Sequence, residues 1–292
     1  GEVGVAAPGG IGFAKNRAVG QSGGAVLVFL DADDVMMPRR VEMQVDALSR
    51  HPRSLVGGAW LRWPSGATAH YEAWAHSLGE EGLYLHQYRE TTLQMPTWAM
   101  TRSTFDSAGP FPCAPAEDLS FFHAHLDRVP RGERPLVRVG TREDPTTLYR
   151  YTASSMTSTV TRRLLLAVRA AAFERRVLRA DPRWANFIIW GAGRDGKQFL
   201  AALSPAARRR VTALADIDPR KVGTMYTNHR LLDEAGKPCP PLSLPVIHTR
   251  DIRGPAAVCV SLRRADEAMP GEIERAAAEL GLVEGETLWC IF

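Results

Sequence analysis

Three aspartates with the potential for metal chemistry follow a short apolar run early in the sequence. They are Asp31, Asp33 and Asp34, directly after the apolar residues 26–30. A continuous apolar run of this length is typical of a strand that is buried on both faces, so the carboxylates are expected to crowd at its carboxyl end. Like charges at such separations repel, and burial adds to the cost, so a positive charge is expected beside them.

Carboxylate oxygens are the ligands that Mg²⁺ and Mn²⁺ prefer, and a bound cation can hold a phosphate-bearing substrate. A divalent cation site is therefore the first hypothesis for this turn. Two alternatives stay open: the aspartates cap the next helix, or they form an exposed acidic turn that needs no cation. Pro38 suits a first helical position and places the helix cap near Met37, too far along the chain for Asp31 or Asp33 to serve. An apolar stripe at helical spacing marks this helix: Val41, Val45 and Leu48.

Length and composition are those of a globular protein with about two domains. The chain has 292 residues and a formal net charge of +4, which permits a polyanionic partner without requiring one. No run approaches the roughly 20 apolar residues of a membrane span, and the first residues lack a signal-peptide pattern. The four cysteines are scattered without metal-ligand spacing, which predicts free thiols and a reducing, cytoplasmic setting. Recurrent arginine pairs, such as Arg39 and Arg40, are expected on solvated helix faces.

The order of the apolar runs predicts two α/β domains. Residues 1–159 form the first domain, residues 160–184 a linking helix, and residues 185–292 the second domain. Strands alternate with helices in the second domain, which predicts a parallel, Rossmann-like sheet. In the first domain, residues 54–63 predict one strand, and residues 146–159 predict a strand followed by a polar loop.

A glycine-rich turn in the second domain fits a nucleotide-binding pattern. Gly191, Gly193 and Gly196 have the G-x-G-x-x-G spacing between a predicted strand and a predicted helix. Asp216 ends the next strand, where an acidic residue would meet a ribose. A nucleotide site is one interpretation, and a tight strand–helix turn without a ligand is the other.

The motifs of the first domain resemble those of inverting family 2 glycosyltransferases of the GT-A fold. A helix with Ala14 and Asn16 comes first, then the apolar strand and the acidic turn, and then Glu117 and Asp118 at a helix start. The resemblance implies a GT-A (Rossmann-like) domain that binds a UDP-sugar donor through Mn²⁺ or Mg²⁺.

The same resemblance assigns roles to individual residues. Asp31 and Asp33 would hold the metal and the donor diphosphate, with Asp33 the main ligand, while Asp34 and Asn16 support the donor site. Asp118 would be the general base that removes a proton from the acceptor hydroxyl, with Glu117 as its neighbour. A helix N-cap is the structural alternative for the last two carboxylates.

Further motifs narrow the resemblance to one subgroup, the queuosine-tRNA galactosyltransferases. They are "MPTWAMTRSTFDSAGPF", "EDLSFFHAHL", "LYRY" and "FIIWGAGRDGK". The resemblance implies galactose transfer from UDP-galactose to queuosine in a tRNA anticodon, in the cytoplasm. Trp98 and Arg102 fall on the acceptor side, where Trp98 either stacks on a base or belongs to the core.

Two other functions stay open. One is transfer from UDP-N-acetylglucosamine to a galactose-ended glycan, and the other is a non-catalytic module that binds nucleotides or RNA through the second domain. The family's opening strand, helix and second strand have no counterpart before the helix with Asn16. The sequence is therefore expected to lack the first strands of the GT-A fold and part of the donor site.

Overall fold

The computed structural model describes residues 9–152, 160–233, 235–260 and 271–291. They form two compact units. The N-terminal unit comprises the described residues within Gly1–Gln87 and Thr91–Thr161, and the C-terminal unit comprises Tyr88–Glu90 and those within Arg162–Phe292. The polar loop predicted up to residue 159, and the end of the strand signal at residues 256–262, lie outside the described residues. No helix in the described ranges combines the length and hydropathy that a bilayer crossing requires.

The N-terminal unit alternates helices with short strands. Its helices are α1 (Gly10–Gln21), α2 (Arg40–Arg50), α3 (Ala69–Ser77), α4 (Glu80–Leu85), α5 (Arg102–Ala108) and α6 (Glu117–Arg128). Its strands are β1 (Val26–Val28), β2 (Val35–Met36), β3 (Leu55–Gly58), β4 (Trp60–Trp63), β5 (Ala99–Thr101), β6 (Leu136–Val139) and β7 (Thr147–Arg150). These strands belong to two separate sheets.

The larger sheet of this unit has the strand order β1-β5-β3-β6, and the smaller one has the order β2-β7-β4. Pairing is mixed, because β3 with β6 and β4 with β7 are parallel whereas β1 with β5 and β2 with β7 are antiparallel. The single strand predicted over residues 54–63 is therefore wrong. The chain bends at Ala59, so that β3 joins the first sheet and β4 the second.

Strand β1 is shorter and less buried than its sequence predicted. Leu27 is buried, but Val26 and Val28 are only partly so, and Leu30 lies beyond the strand with 37 % of its surface exposed. The prediction of burial on both faces is wrong because, among the described strands, β1 pairs with β5 alone and forms the edge of its sheet.

Helix α2 begins at Arg40, two residues after Pro38, and the predicted apolar stripe is buried only at Leu48. Val41 and Val45 are 44 % and 43 % exposed, whereas Arg40 and Gln44 are completely buried. Arg40 donates to the carbonyl of Phe29, to Thr147 Oγ1 at 3.2 Å and to Gln44 Oε1 at 3.1 Å. Gln44 in turn donates to the Thr97 carbonyl at 2.6 Å. Polar side chains can be buried here because hydrogen bonds replace their contacts with water.

An aromatic core lies between the larger sheet and helices α5 and α6. Trp98, at its centre, stacks with Phe111 and Phe122 at centroid distances of 6.4 Å. Phe111 also stacks on Phe121 at 4.4 Å. Close packing of these rings fixes the segment between α5 and α6, which leads directly to Glu117 and Asp118.

The C-terminal unit contains a mostly parallel sheet with helices between its strands, as the sequence predicted. Its helices are α7 (Arg162–Phe173), α8 (Arg194–Ala202), α9 (Pro205–Arg208) and α10 (Glu272–Leu280). Its strands are β8 (Phe187–Trp190), β9 (Val211–Asp216), β10 (Met225–Asn228), β11 (Leu242–His248), β12 (Ala256–Val258) and β13 (Leu288–Cys290). The order is β10-β11-β9-β8-β12-β13, and only β10 pairs antiparallel within it. This is a Rossmann-like arrangement.

Several arginines are structural and not solvated, contrary to the expectation for the arginine pairs. Arg208 is buried and donates to the carbonyls of Leu200, Ala201 and Leu232. Arg40 is likewise buried, whereas the side chain of its neighbour Arg39 is 62 % exposed and pairs with Asp144. Membership of an arginine pair therefore does not mark a side chain as available to a polyanion.

Candidate active site

The acidic turn at the end of β1 brings three carboxylates together. Oxygen atoms of Asp31, Asp33 and Asp34 lie within 4.8 Å of one another. The amide of Asp34 donates to the carbonyl of Asp31 at 3.1 Å and closes the turn. Asp33 is exposed, while Asp31 and Asp34 are partly buried. The predicted crowding of the three side chains is present in the structure.

Strand β7 anchors this turn through Arg150. The amide of Arg150 donates to Asp34 Oδ1 at 2.7 Å, and its Nε donates to the carbonyl of Asp33 at 3.0 Å. The other carboxylate oxygen, Asp34 Oδ2, is buried, and no described group forms a hydrogen bond with it. Burial raises the pKa of Asp34 to about 6, against the opposing hydrogen bond from Arg150 and with further repulsion from Asp31 and Asp33.

Positive charge surrounds the turn, as the sequence argument required. Burial raises the pKa of Asp31, and the nearby ammonium of Lys15 opposes this, while Asp33 and Glu117 add to it. Behind the turn, burial lowers the pKa of Arg40 to about 10, and the charge of Asp34 partly offsets that effect.

Helices α1 and α6 bring a second acidic group to the same place. Lys15 on α1 forms an ion pair with Glu117 at 2.9 Å, and both side chains are 12 % exposed. Because Lys15 and Glu117 both act on the pKa of Asp31, the start of α6 lies beside the acidic turn. Gly12 permits this approach, since a Cβ there would lie 2.1 Å from the carbonyl oxygen of Pro112.

Glu117 and Asp118 occupy the first turn of α6 and do not cap it. The N-cap is Ala116, which has no capping side chain and holds a left-handed backbone with φ 63°. A positive φ is uncommon for alanine and costs about 1 kcal/mol, and such strain is concentrated at functional sites. Asp118 Oδ1 accepts from the amide of Leu119 at 2.7 Å. The N-cap alternative from the sequence is wrong for both carboxylates.

The side chain of Asn16 connects helix α1 to the backbone of Phe111. Its Nδ2 donates to the carbonyl of Phe111 at 2.8 Å, and its Oδ1 accepts from the amide of Phe111 at 2.9 Å. The side-chain amide therefore ties α1 to the segment before α6. The predicted role of Asn16 at a donor site stays a prediction.

The two predicted acceptor-side residues lie in structural positions. Trp98 has no exposed surface, and its indole nitrogen donates to the carbonyl of Leu93 at 2.9 Å, so it belongs to the core and not to a stacking surface. Arg102 donates to the carbonyls of Val19, Ser22 and Gly24 and so completes the carboxyl end of α1. Trp98 therefore has no surface with which to contact an acceptor, while an acceptor contact by the partly buried Arg102 stays a prediction.

Sequence reasoning missed four residues around the turn. Lys15 was one residue from a recognised motif position, and Arg150 lay within the motif "LYRY", so both had a local signal. Arg40 was noted as one of an arginine pair but was expected in solvent, and Arg62 had no signal, because hydrophobic periodicity does not identify buried or stacked arginines.

The residues of the turn fit a divalent cation. All three ligand atoms are carboxylate oxygens, which Mg²⁺ and Mn²⁺ prefer, and they lie within reach of one ion. The buried Asp34 Oδ2 also lacks a hydrogen-bond partner among the described residues, and a buried acceptor without a partner is unfavourable unless a cation or water satisfies it.

The glycine-rich turn of the C-terminal unit is closed by its own contacts. A Cβ on Gly196 would lie 1.8 Å from the carbonyl oxygen of Gly191, and Gly191 itself has φ 136°. Asp216 Oδ2 accepts from the amide of Ala192 at 3.2 Å and from Lys221 Nζ at 2.8 Å. Gly193 has open space around it. These contacts favour the ligand-free interpretation, and a nucleotide site here stays a prediction.

A comparison with protein families agrees with the geometry of the acidic turn. Residues 7–108 match the family model described as Glycosyl transferase family 2. This part of the N-terminal unit is therefore similar to family 2 glycosyltransferase domains. Its mixed α/β architecture is that of the GT-A, Rossmann-like glycosyltransferase fold, as the sequence motifs implied. The match includes α1, the acidic turn and α2, and ends before Glu117 and Asp118.

Two solved structures show a remote likeness to the chain. One is the crystal structure of S. aureus TarS, at 13 % identity and a TM-score of 0.41, covering 70 % of this chain and 38 % of TarS. The other is the crystal structure of a mycobacterial protein, at 17 % identity and a TM-score of 0.34, covering 81 % of this chain and 61 % of that protein. The chain thus spans less than two thirds of either, and nothing about its function follows from them.

Proposed function

We propose that the N-terminal unit is an inverting, metal-dependent glycosyltransferase site that uses a UDP-sugar donor. The observation that supports this proposal is the grouping of the three carboxylates of the acidic turn, together with the ion pair between Lys15 on α1 and Glu117 on α6, both of which act on Asp31. The candidate base, Asp118, follows Glu117 in the same helix turn.

Each carboxylate has a distinct role in this proposal. Asp33, which is exposed, and Asp31 would hold the cation, and Asp34 would contribute its buried Oδ2 from beneath. When bound, the cation neutralises the negative charge of the donor diphosphate. Lys15 pairs with Glu117 next to the turn, and its charge opposes the effect of Glu117 on the pKa of Asp31.

Asp118 is the proposed general base. The oxygen of the acceptor hydroxyl attacks the anomeric carbon of the sugar, and the carbon–oxygen bond to the diphosphate breaks. The hydroxyl proton goes to the Asp118 carboxylate, and the bonding electrons leave with the nucleoside diphosphate. Attack from the face opposite the leaving group inverts the anomeric configuration.

The proposed donor is UDP-galactose, and the proposed acceptor is queuosine in the anticodon of a cytoplasmic tRNA. The order of the motifs from the acidic turn to "FIIWGAGRDGK" supports this assignment. We assign the transfer to residues 1–159, with residues 160–184 as a link and residues 185–292 as a second Rossmann-like domain. The turn with Gly191, Gly193, Gly196 and Asp216 is a secondary nucleotide-site candidate.

Transfer to defined acceptors tests the proposal. The full-length protein is incubated with Mn²⁺ and radiolabelled UDP-galactose, together with tRNA that contains queuosine or matched tRNA that contains guanine instead. We expect label only in the queuosine-containing tRNA. A parallel reaction pairs UDP-N-acetylglucosamine with a galactose-ended oligosaccharide. Equal labelling of both tRNAs, or labelling of the oligosaccharide alone, would contradict the tRNA assignment and favour the glycan alternative.

A further inference from the structure

An exposed aromatic surface lies on the smaller sheet of the N-terminal unit. Trp63 ends β4 with 49 % of its surface exposed, and Tyr151 follows β7 with 43 % exposed. The amide of Tyr151 donates to the carbonyl of Trp63 at 2.8 Å, so the two residues are neighbours across the strand ends. We call these two side chains the aromatic platform. Two large adjacent aromatic side chains are usually buried unless they contact a partner.

Two arginines lie against the rings of this platform. The guanidinium of Arg150 is 4.7 Å from the ring centroid of Trp63, and that of Arg62 is 5.7 Å from the ring centroid of Tyr151. Arg62 also lies 4.0 Å from the ring centroid of Tyr149, beneath the surface. The platform is thus a set of flat aromatic and guanidinium surfaces with two positive charges.

The platform adjoins the acidic turn. Arg150 contacts both the ring of Trp63 and the turn, through its hydrogen bonds to Asp33 and Asp34. Arg62 is close enough to lower the pKa of Asp34, where burial is the dominant influence and raises it. A molecule that rests on Trp63 would therefore lie next to the proposed cation site.

We propose that the aromatic platform binds an unpaired nucleobase of the acceptor RNA. The inference rests on the proposed function and supplies an acceptor contact that the buried Trp98 does not provide. Unpaired bases are bound by stacking on aromatic rings and on arginine planes, and the adjoining phosphates carry the negative charge that the arginines complement. A sugar ring carries no charge for Arg62 and Arg150 to complement, so the composition favours a nucleic acid acceptor.

Binding of an RNA hairpin tests the platform independently of transfer. Fluorescence anisotropy measures the affinity of the full-length protein for a fluorescein-labelled hairpin with an unpaired loop. Trp63→Ala should weaken binding about 5- to 150-fold, the range for loss of one base–aromatic stack, and Trp63→Phe should retain most of the affinity. Because stacking releases no counterions, the dependence of affinity on salt should keep the wild-type slope in both variants.

Phe13 provides a matched control. It is 43 % exposed, and Arg17 lies 5.9 Å from its ring centroid, so it presents the same kind of cation–aromatic pair on α1. Phe13→Ala should leave hairpin affinity unchanged. A similar loss in Phe13→Ala and Trp63→Ala would indicate nonspecific aromatic contact and overturn the proposal.

The remaining outcomes separate the platform from the transfer reaction. Wild-type affinity in Trp63→Ala, together with normal labelling of queuosine-containing tRNA, would reject the platform and leave the proposed function intact. Loss of hairpin binding in Trp63→Ala, with no labelling by the wild-type protein, would reject the transfer and support the platform. Absence of hairpin binding by the wild-type protein, with a Trp63-dependent KM for the oligosaccharide, would assign the surface to a sugar and reject the RNA.

Discussion

Both units place aspartates at the carboxyl end of a strand, after β1 in one and after β9 in the other. After β9, each carboxylate has a cationic partner. Lys221 pairs with Asp216 at 2.8 Å, and Arg220 pairs with Asp218 at 2.9 Å. Although burial acts to raise it, hydrogen bonds from Lys221 and from the amide of Asp218 lower the pKa of Asp216, and the hydrogen bond from Arg220 lowers that of Asp218 to about 2.

After β1 the carboxylates crowd together, and the balance of charges is reversed. The pKa values of Asp31 and Asp34 are raised, chiefly by burial, and no described group forms a hydrogen bond with Asp34 Oδ2. The nearest ammonium, Lys15, is shared with Glu117. Strand-end carboxylates alone therefore do not mark a ligand site. A turn whose carboxylates already pair with cationic side chains has no need of a metal ion. A turn whose carboxylates lack such partners suits one.

The largest expected effect follows from removing the proposed base beside the acidic turn. Asp118→Asn should lower kcat about 10²- to 10⁴-fold, because an amide cannot accept the proton of the acceptor hydroxyl. The KM for UDP-galactose should stay near the wild-type value. Asp127→Asn, on the exposed part of the same helix, is the control and should retain activity. If Asp118 had only a structural role at the helix start, Asp118→Asn would instead lower the free energy of unfolding by about 0.3–1 kcal/mol and leave kcat unchanged.

The next effect contrasts the two turns directly. Asp33→Asn should lower transfer about 10²- to 10³-fold, the size expected when one group that stabilises developing charge is lost. Removing one charge from the crowded turn should not lower the stability of the metal-free protein. Asp218→Asn makes the same change in the turn after β9 and should leave transfer unchanged. Full wild-type activity in the presence of a chelator would show that the acidic turn needs no cation.

Substitutions at two glycines test how tightly the glycine-rich turn of the C-terminal unit is packed. Gly196→Ala should destabilise the protein by about 1–3 kcal/mol or more, because its Cβ would collide with the backbone of Gly191. Gly193→Ala should change stability by less than about 0.5 kcal/mol, since its surroundings are open. Urea unfolding measures both. If NAD⁺ or UDP raises the melting temperature of the wild type but not of Gly193→Ala, the turn binds a nucleotide and the comparison between the units must be revised.

Much of this architecture could be predicted from local patterns. The strand–helix alternation of the C-terminal unit and the crowding of the acidic turn both depend on residues that are near one another in sequence, and both predictions are confirmed. The bend at Ala59 was missed because residues 54–63 have the apolar composition of one continuous strand. Whether that strand continues or divides between sheets depends on pairing with β6 and β7, far along the chain.

The buried face of α2 was missed for a different reason. Hydrophobic periodicity assigned Val41 and Val45 to the core, but Arg40 and Gln44 are buried instead. Burial of an arginine is favourable only if distant carbonyls and hydroxyls are placed to accept its hydrogen bonds, as Phe29 and Thr147 are. No local pattern encodes that arrangement. The aromatic platform was missed similarly, because it joins strand ends that are nearly ninety residues apart in sequence.

The smallest expected effect is a dependence of stability on pH that belongs to the acidic turn alone. In the folded, metal-free protein the pKa of Asp34 is about 6, above its unfolded value of 3.8. The folded state therefore binds more protons between these values, so stability should be highest below about pH 4 and should fall as the pH rises to about 6. The difference corresponds to at most about 3 kcal/mol, and we expect about 1 kcal/mol because Asp34 is partly exposed and screened.

Asp34→Asn should reduce this slope, because the amide keeps an oxygen for the hydrogen bond from Arg150 and carries no charge, and the part due to the raised pKa of Asp31 should remain. Asp218→Asn should keep it, since the lowered pKa of Asp218 affects stability only at pH values below about 4. Urea unfolding between pH 4.5 and 7.5 measures all three proteins. Mn²⁺ at pH 7 should restore the lost stability in the wild type by binding the folded state. An unchanged slope in Asp34→Asn would mean that burial of this carboxylate does not govern the pH dependence of the turn, and the contrast with the C-terminal turn would then rest on geometry alone.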